Sequence, residues 1–360
     1  MNVPVSRRTL LRRASLVAAG APLAGLAACA LDTPPEGAFV TSGRCMGTTY
    51  RLTVPAPRGD LDARAIGDGV RALLSAVEAK LSTYLPDAEL ARFNASTSTA
   101  WQPVSAETAA VIGAALDVAR RSDGAFDPTV GPLVDLWGFG PAPRTGRPPP
   151  SDALAAARRL VGADLVEVAT DPPRVRKAHP GTRVDLGGIA KGHGLDVVAA
   201  WLDGLGVTSY LLDLGGELRA RGERAPGLRW RIGLERPDPD AAGLVGAIVL
   251  GEPGRAEGIA TSGPYRQFFD ADGRRHGHVL DPRVGEPIRH GLAAVSVVAA
   301  TDLDADAWAT ALLVLGPHDG PACARRHDLA AIFVTTEGAA FRLEPSPAMA
   351  RRPDIERFPC

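Results

Sequence analysis

Three stretches of this chain gather residue types that phosphate chemistry uses. The first is Asp185-Leu-Gly-Gly-Ile-Ala-Lys-Gly-His-Gly194. Glycines allow a backbone to approach a ligand closely. The helix predicted to start here would offer N–H groups and a positive dipole end to an anion. Lys191 adds a mobile cation and Asp185 a carboxylate. The spacing is neither Gly-Lys-Ser/Thr of a Walker A loop nor G-x-G-x-x-G. A tight turn with an exposed lysine is the alternative. Against it, the chain writes nearly every cation as arginine; its only lysines are Lys80, Lys177 and Lys191.

The second stretch is Thr301-Asp-Leu-Asp-Ala-Asp-Ala-Trp-Ala-Thr310. Acids favour a helix N-terminus, which accounts for one or two of these. A calcium loop fails, because Ala307 replaces the turn glycine and Leu313 the closing glutamate. What remains is Asp306 and Thr310, spaced i,i+4 on one helix face. Both offer hard oxygens, and magnesium takes one or two protein carboxylates with water and substrate phosphates. The third stretch joins Gly258-Ile-Ala-Thr-Ser-Gly-Pro-Tyr265 to Gly277-His-Val-Leu-Asp-Pro-Arg-Val-Gly285. His278, with Asp281 three residues on, is either a hydrogen-bonded core histidine or a general base at neutral pH.

The elements that must position these groups follow from periodicity. Val184 to Leu186 reads as the end of a buried strand. Leu195, Val198, Trp201, Leu202 and Leu205 mark an amphipathic helix. Phe39 to Val54 reads as a strand interrupted at Gly47. Leu61 to Leu81 is helical, and Ser105 is a candidate N-cap for a helix ending at Gly124. Gly124 to Gly140 is rich in proline and glycine, yet apolar and aromatic, so it packs as a rigid lining or binds something flat. Ser209 to Ala220 is a strand pair broken at Gly215-Gly216, and further strands are predicted at Trp230–Glu235, Val245–Leu250, Gly258–Ser262 and Ala293–Ala300. Asp272-Gly273 signals a hairpin. A helix runs from Asp304 to Leu315 and ends at Gly316. Helices do not alternate strictly with strands, so the fold class is α+β: one domain of mixed, mainly antiparallel sheets with packed helices, with room for two lobes.

The 360 residues carry a formal net charge of -1, which argues against nucleic acid as a partner. Hydrophobic content of 45% is ample for a core. Ser6-Arg-Arg-Thr-Leu-Leu11 resembles a twin-arginine export signal. The apolar stretch Leu16 to Ala28 is too short for a comfortable membrane span. Leu26-Ala-Ala-Cys29 resembles a lipoprotein box, in which Cys29 is lipidated and becomes the N-terminus; an ordinary signal peptide with a chance cysteine is the alternative. The chain thus divides into a signal (1–28), a tether (29–38), the domain (39–345) and a tail (346–360). The expected location is the periplasmic side of a membrane, held by the lipid anchor. Cys45, Cys323 and Cys360 lack metal-ligand spacing.

Taken together, the motifs resemble the ApbE family, the FAD:protein FMN transferases. The resemblance runs from about Met46 to Gly316. It rests on Met46-Gly-Thr, Leu81-Ser-Thr-Tyr84, Arg92-Phe-Asn94, Phe126-Asp127, Thr129-Val-Gly-Pro-Leu133, Leu136-Trp-Gly-Phe-Gly140, Asp185 to Gly192, Ala260-Thr-Ser-Gly263, His278-Val-Leu-Asp-Pro282 and Ala305-Asp-Ala-Trp-Ala-Thr310. The resemblance implies that Met46, Tyr84, Ala125, Phe126, Asp127, Asp185, Lys191 and Leu280 hold FAD. It implies magnesium on the Gly188 carbonyl, Asp306 and Thr310, with Ala309 adjacent. Some relatives place a carboxylate at the Ala309 position, which this chain cannot supply. It implies His278 as the base. The implied reaction moves the FMN part of FAD to a threonine hydroxyl of an acceptor flavoprotein and releases AMP. An FAD pyrophosphatase and a non-catalytic flavin-binding lipoprotein are the other readings; His278, Asp306 and Thr310 together argue against the second.

Overall fold

The computed structural model describes residues 28–30, 34–55, 62–141, 146–238, 243–251, 254–265, 267–338, 340–352 and 355–357. The export motif and the stretch from Leu16 to Ala27 lie outside them.

Eight strands make the main sheet: β1 (Phe39–Cys45), β2 (Thr48–Val54), β3 (Tyr210–Leu214), β4 (Glu217–Arg221), β5 (Ala256–Ser262), β6 (Leu292–Ala299), β7 (Ala330–Glu337) and β8 (Ala340–Pro345). Their order across the sheet is their order along the chain, and every pair is antiparallel. The β1–β2 turn uses Met46 and Gly47, both at positive φ (51° and 72°), as a tight hairpin requires. The predicted interruption at Gly47 is that turn.

One sheet face packs against helices α1 (Ala63–Leu81), α3 (Ala190–Gly204) and α4 (Asp302–Arg326), and α2 (Ala106–Arg121) packs in turn on α4. Ser105 caps α2 by accepting from the Thr108 N–H, as expected. Helix α4 is broken at Gly316 (φ 80°, ψ -170°), where the sequence places the end of its first segment. The other face packs against a smaller sheet of Ala28–Ala30, Trp230–Glu235, Leu244–Leu250 and Ile355–Arg357. Strand alternation sorts the side chains. On β7, Ala331 and Phe333 join the helix-side core, while Ile332 and Val334 join the smaller sheet. The α+β expectation therefore holds, with mainly antiparallel sheets.

Strand β4 breaks the apolar rule on its helix side. Leu218 and Ala220 pack toward the smaller sheet, but Glu217, Arg219 and Arg221 meet Lys191, Asp196, Asp302 and Asp203. Buried charges persist only when paired, so this row selects the partners α3 and α4 must present.

One expectation is corrected. Val184 to Leu186 is extended but forms no strand; Arg183 makes a single bridge to Val130, and the Asn94 side chain takes both backbone groups of Val184 (2.7 and 2.8 Å). Within the expected tail, Ser346 caps a short helix, Met349 is fully buried, and Ile355–Arg357 pairs with Leu244–Leu250. Across the expected junction of signal and tether, Ala28–Ala30 pairs with Trp230–Glu235, setting Cys29 opposite Gly233.

Candidate active site

The site lies where the start of α3, the first turns of α4 and the end of β5 meet. Gly192 permits that meeting. A Cβ there would lie 2.1 Å from the Asp302 carbonyl oxygen, so only glycine lets α3 touch the start of α4. Its N–H donates to Asp306 Oδ2 at 3.2 Å. The expected free helix N-terminus is thus partly satisfied by protein, and Gly192 serves helix packing rather than ligand approach.

A buried ion cluster fixes the start of α4. Arg219 Nη1 lies 2.8 Å from Asp302 Oδ2 and 2.9 Å from Asp196 Oδ1. The Asp196 carboxylate accepts from the N–H groups of Asp302 and Leu303 at 3.0 and 2.9 Å, which caps the helix. Asp302 is fully buried, and burial pushes its carboxyl well above the usual range despite Arg219. Gly258, opposite Arg219 in the ladder, leaves the space this carboxylate fills.

One turn further on, Asp306 is 2% exposed. Burial raises its pKa, while Lys191 and the Gly192 N–H oppose the rise. Lys191 Nζ is ion-paired to Glu217 Oε1 and lies 3.8 Å from Asp306 Oδ1. Thr310 Oγ1 is 3.1 Å from Ser262 Oγ on β5. A Cβ on Gly188 would come within 3.1 Å of both Thr310 Oγ1 and the Phe126 ring, so the glycine loop lies directly over Thr310. The structure therefore brings together Gly188, Lys191, Asp306 and Thr310. A single buried carboxylate beside the Thr310 and Ser262 hydroxyls, with the Gly188 backbone against Thr310, fits the hard-oxygen set of magnesium. Among the described residues no cluster of three or more His, Cys, Asp or Glu forms, so the neutral oxygens would be needed. Ala309 is wholly buried in the core and offers no side-chain donor.

His278 follows the hairpin of Phe268–Ala271 and Arg274–Gly277, whose turn is the expected Asp272-Gly273. Its Nδ1 lies 3.1 Å from the Gln267 carbonyl oxygen. A carbonyl only accepts, so the proton sits on Nδ1 and the lone pair on Nε2. Its ring meets Phe139 edge-on at 6.4 Å. Tyr84 Oη donates to the Phe139 carbonyl at 3.0 Å, and Tyr84 is 62% exposed. Leu280 packs with Leu133, Trp137 and Phe139, so 124–140 is in large part a rigid lining.

The remaining residues of the resemblance are placed as follows. Ala125 and Phe126 are buried, the latter in the main core. Asp127 Oδ1 accepts from Thr129 N (2.8 Å) and Oγ1 (2.6 Å), so its carboxylate shapes its own loop; burial raises its pKa. Asp185 Oδ1 accepts from the Gly187 N–H at 2.7 Å, and burial raises it too. Met46 bridges two core clusters and lies against Gly194. Lys177 is fully buried, its Nζ donating to the carbonyls of Phe93, Asn94 and Thr182 at 3.4, 3.2 and 3.2 Å. With Asn94 it holds the segment leading to Asp185. The sequence assigned no role to Glu217, Ser262, Gln267, Arg219 or Asp196. Cys45 and Cys323 are buried free thiols, Cys45 pushed up to about 12 by burial and Glu78, so neither is a nucleophile.

The profile of the ApbE family matches residues 46–333. The FAD:protein FMN transferase of Escherichia coli K12 is 37% identical over 310 residues, covering 86% of this chain and 87% of that protein. That of Klebsiella pneumoniae is 37% identical over 338 residues, covering 93% and 95%. Among solved structures, the flavin transferase ApbE from Vibrio cholerae superposes with a TM-score of 0.79 at 35% identity, covering 87% of this chain and 99% of that one. The apo flavinyl transferase ApbE of Pseudomonas stutzeri gives 0.77 at 37%, covering 87% and 95%.

Proposed function

The chain belongs to the ApbE family, and from that we propose that it is an FAD:protein FMN transferase acting on a threonine hydroxyl of an acceptor flavoprotein. The observation that carries the reading beyond the family is His278, whose Nδ1 faces the Gln267 carbonyl and whose Nε2 is therefore the basic nitrogen. Nε2 takes the proton from the threonine hydroxyl. The threonine oxygen bonds to the phosphorus of the FMN half, and the bond from that phosphorus to the bridging oxygen breaks. AMP leaves with the electron pair. Tyr84 and the Phe139 segment border the flavin, and Lys191 faces the pyrophosphate charge.

Asp306, Thr310 and the Gly188 carbonyl are proposed to hold magnesium. Magnesium, when bound, supplies neutralisation of the pyrophosphate and of the charge developing on AMP. Ser262 orients the Thr310 hydroxyl, and Gly192 fixes Asp306. Anchoring at a membrane through a lipidated Cys29, after export, is part of the same proposal. It is supported by the Leu26-Ala-Ala-Cys29 box and by Ser6 to Leu11.

The test is peptide mapping of an acceptor flavoprotein incubated with this protein, FAD and magnesium. One threonine-containing peptide should gain the FMN phosphoryl mass, and an acceptor with that threonine changed to valine should not. Modification at another residue type would overturn the threonine assignment.

A further inference from the structure

Lys191 stands between two carboxylates. Its Nζ is paired to Glu217 and is 3.8 Å from Asp306 Oδ1. Glu217 is 5% exposed and is delivered by the β3–β4 turn, where Gly215 and Gly216 both take positive φ (65° and 99°). Its neighbours on the same side of β4, Arg219 and Arg221, are also committed to ion pairs. The Glu217 carboxylate is thus held on the main sheet, opposite the helix that bears Asp306.

The position of the ammonium has a consequence for a metal at Asp306. A lysine head on a flexible stem moves toward the nearest available carboxylate. A cation fully seated on Asp306 would occupy that oxygen and repel an incoming divalent ion. With Glu217 in place, the ammonium has another anion to pair with and remains aimed along the same cleft. We propose that Glu217 is a positioning residue that holds Lys191 away from Asp306, keeping that carboxylate available to a divalent metal and the ammonium available to substrate phosphate. The inference rests on the magnesium reading of Asp306 and Thr310 above.

The test separates the two. Manganese(II) is titrated into the full-length protein at an FAD concentration that saturates each variant and with no acceptor, and free aqua-manganese is read by electron paramagnetic resonance. Glu217→Gln, near-isosteric, should weaken manganese binding about ten- to hundredfold. Lys191→Met should bind manganese no more weakly than wild type. The Lys191→Met/Glu217→Gln double variant should bind like Lys191→Met alone, because Glu217 acts only through the lysine. Thermal melting confirms that each variant is folded. If Glu217→Gln weakens binding equally in both backgrounds, Glu217 acts as a structural support and the inference is overturned while the metal reading stands. If the wild type binds FAD but no manganese, the metal reading falls and takes the inference with it.

Discussion

The backbone N–H of Gly192 donates to Asp306 Oδ2 at 3.2 Å, tying the first turn of α3 to the carboxylate that α4 presents. The same carboxylate faces Lys191 on its other oxygen. Asp306 is therefore a joint between two helices and, in the proposed function, the carboxylate that holds the metal.

That double role makes the asparagine variant the informative one. Asp306→Asn keeps an oxygen to accept the Gly192 N–H but removes the charge. The protein should fold and bind FAD, while transfer falls by at least about a hundredfold and loses its response to magnesium. Activity measured across a magnesium titration checks this. Wild-type magnesium dependence in the variant would remove Asp306 from the metal site.

His278 is the proposed base. His278→Ala should retain FAD binding and metal affinity and lose about a hundredfold to ten-thousandfold in transfer, the usual worth of a positioned base. Single-turnover kinetics with saturating acceptor measure it. A variant that transfers at the wild-type rate would show that another group takes the proton.

Asp127 gives a pH signature. Its folded pKa is raised, chiefly by burial, above the value it has when unfolded. The folded state then holds a proton that the unfolded state releases. Its stabilising contribution is full below the ordinary carboxylate range and is lost as pH rises through the raised folded value. Asp127→Asn removes this ionisation and keeps an oxygen for Thr129. Urea unfolding between about pH 4 and pH 8 should show a smaller fall in stability for the variant than for wild type. Identical pH dependence would mean that Asp127 is not raised.

Much of this site was legible because its parts are local. The i,i+4 spacing of Asp306 and Thr310 predicts a shared helix face, and α4 provides it. The Asp272-Gly273 hairpin and the Ser105 cap are decided within a few residues. Glu217 and Arg219 were silent for the opposite reason. Their relevance depends on which face of β4 meets the helices, and a single sequence does not state that register. Val184 to Leu186 has the apolar character of a strand, but a side chain, Asn94, pairs with it instead of a neighbouring strand. The contacts of Asp127 Oδ1 with Thr129 are likewise local, made two residues along the chain.

Cys29 carries the proposal for membrane attachment. The wild-type protein should partition with membranes and yield a lipidated N-terminal cysteine, since several acyl chains anchor where one would not. Cys29→Ser should appear in the soluble periplasmic fraction or remain uncleaved. Intact mass of the mature protein decides it; an unmodified N-terminus elsewhere on the wild type would refute the anchor.

The central claim is that FMN goes to protein rather than to water, and the stoichiometry of AMP against flavinylated acceptor tests it most directly. The protein is mixed with FAD, magnesium and a limiting acceptor flavoprotein, and AMP is quantified by chromatography while acceptor mass is followed in the same samples. Transfer predicts one AMP for each acceptor that gains the FMN phosphoryl mass, with AMP release stopping when acceptor is exhausted. Continued AMP release with free FMN accumulating and no gain in acceptor mass would contradict the account and make the protein an FAD pyrophosphatase.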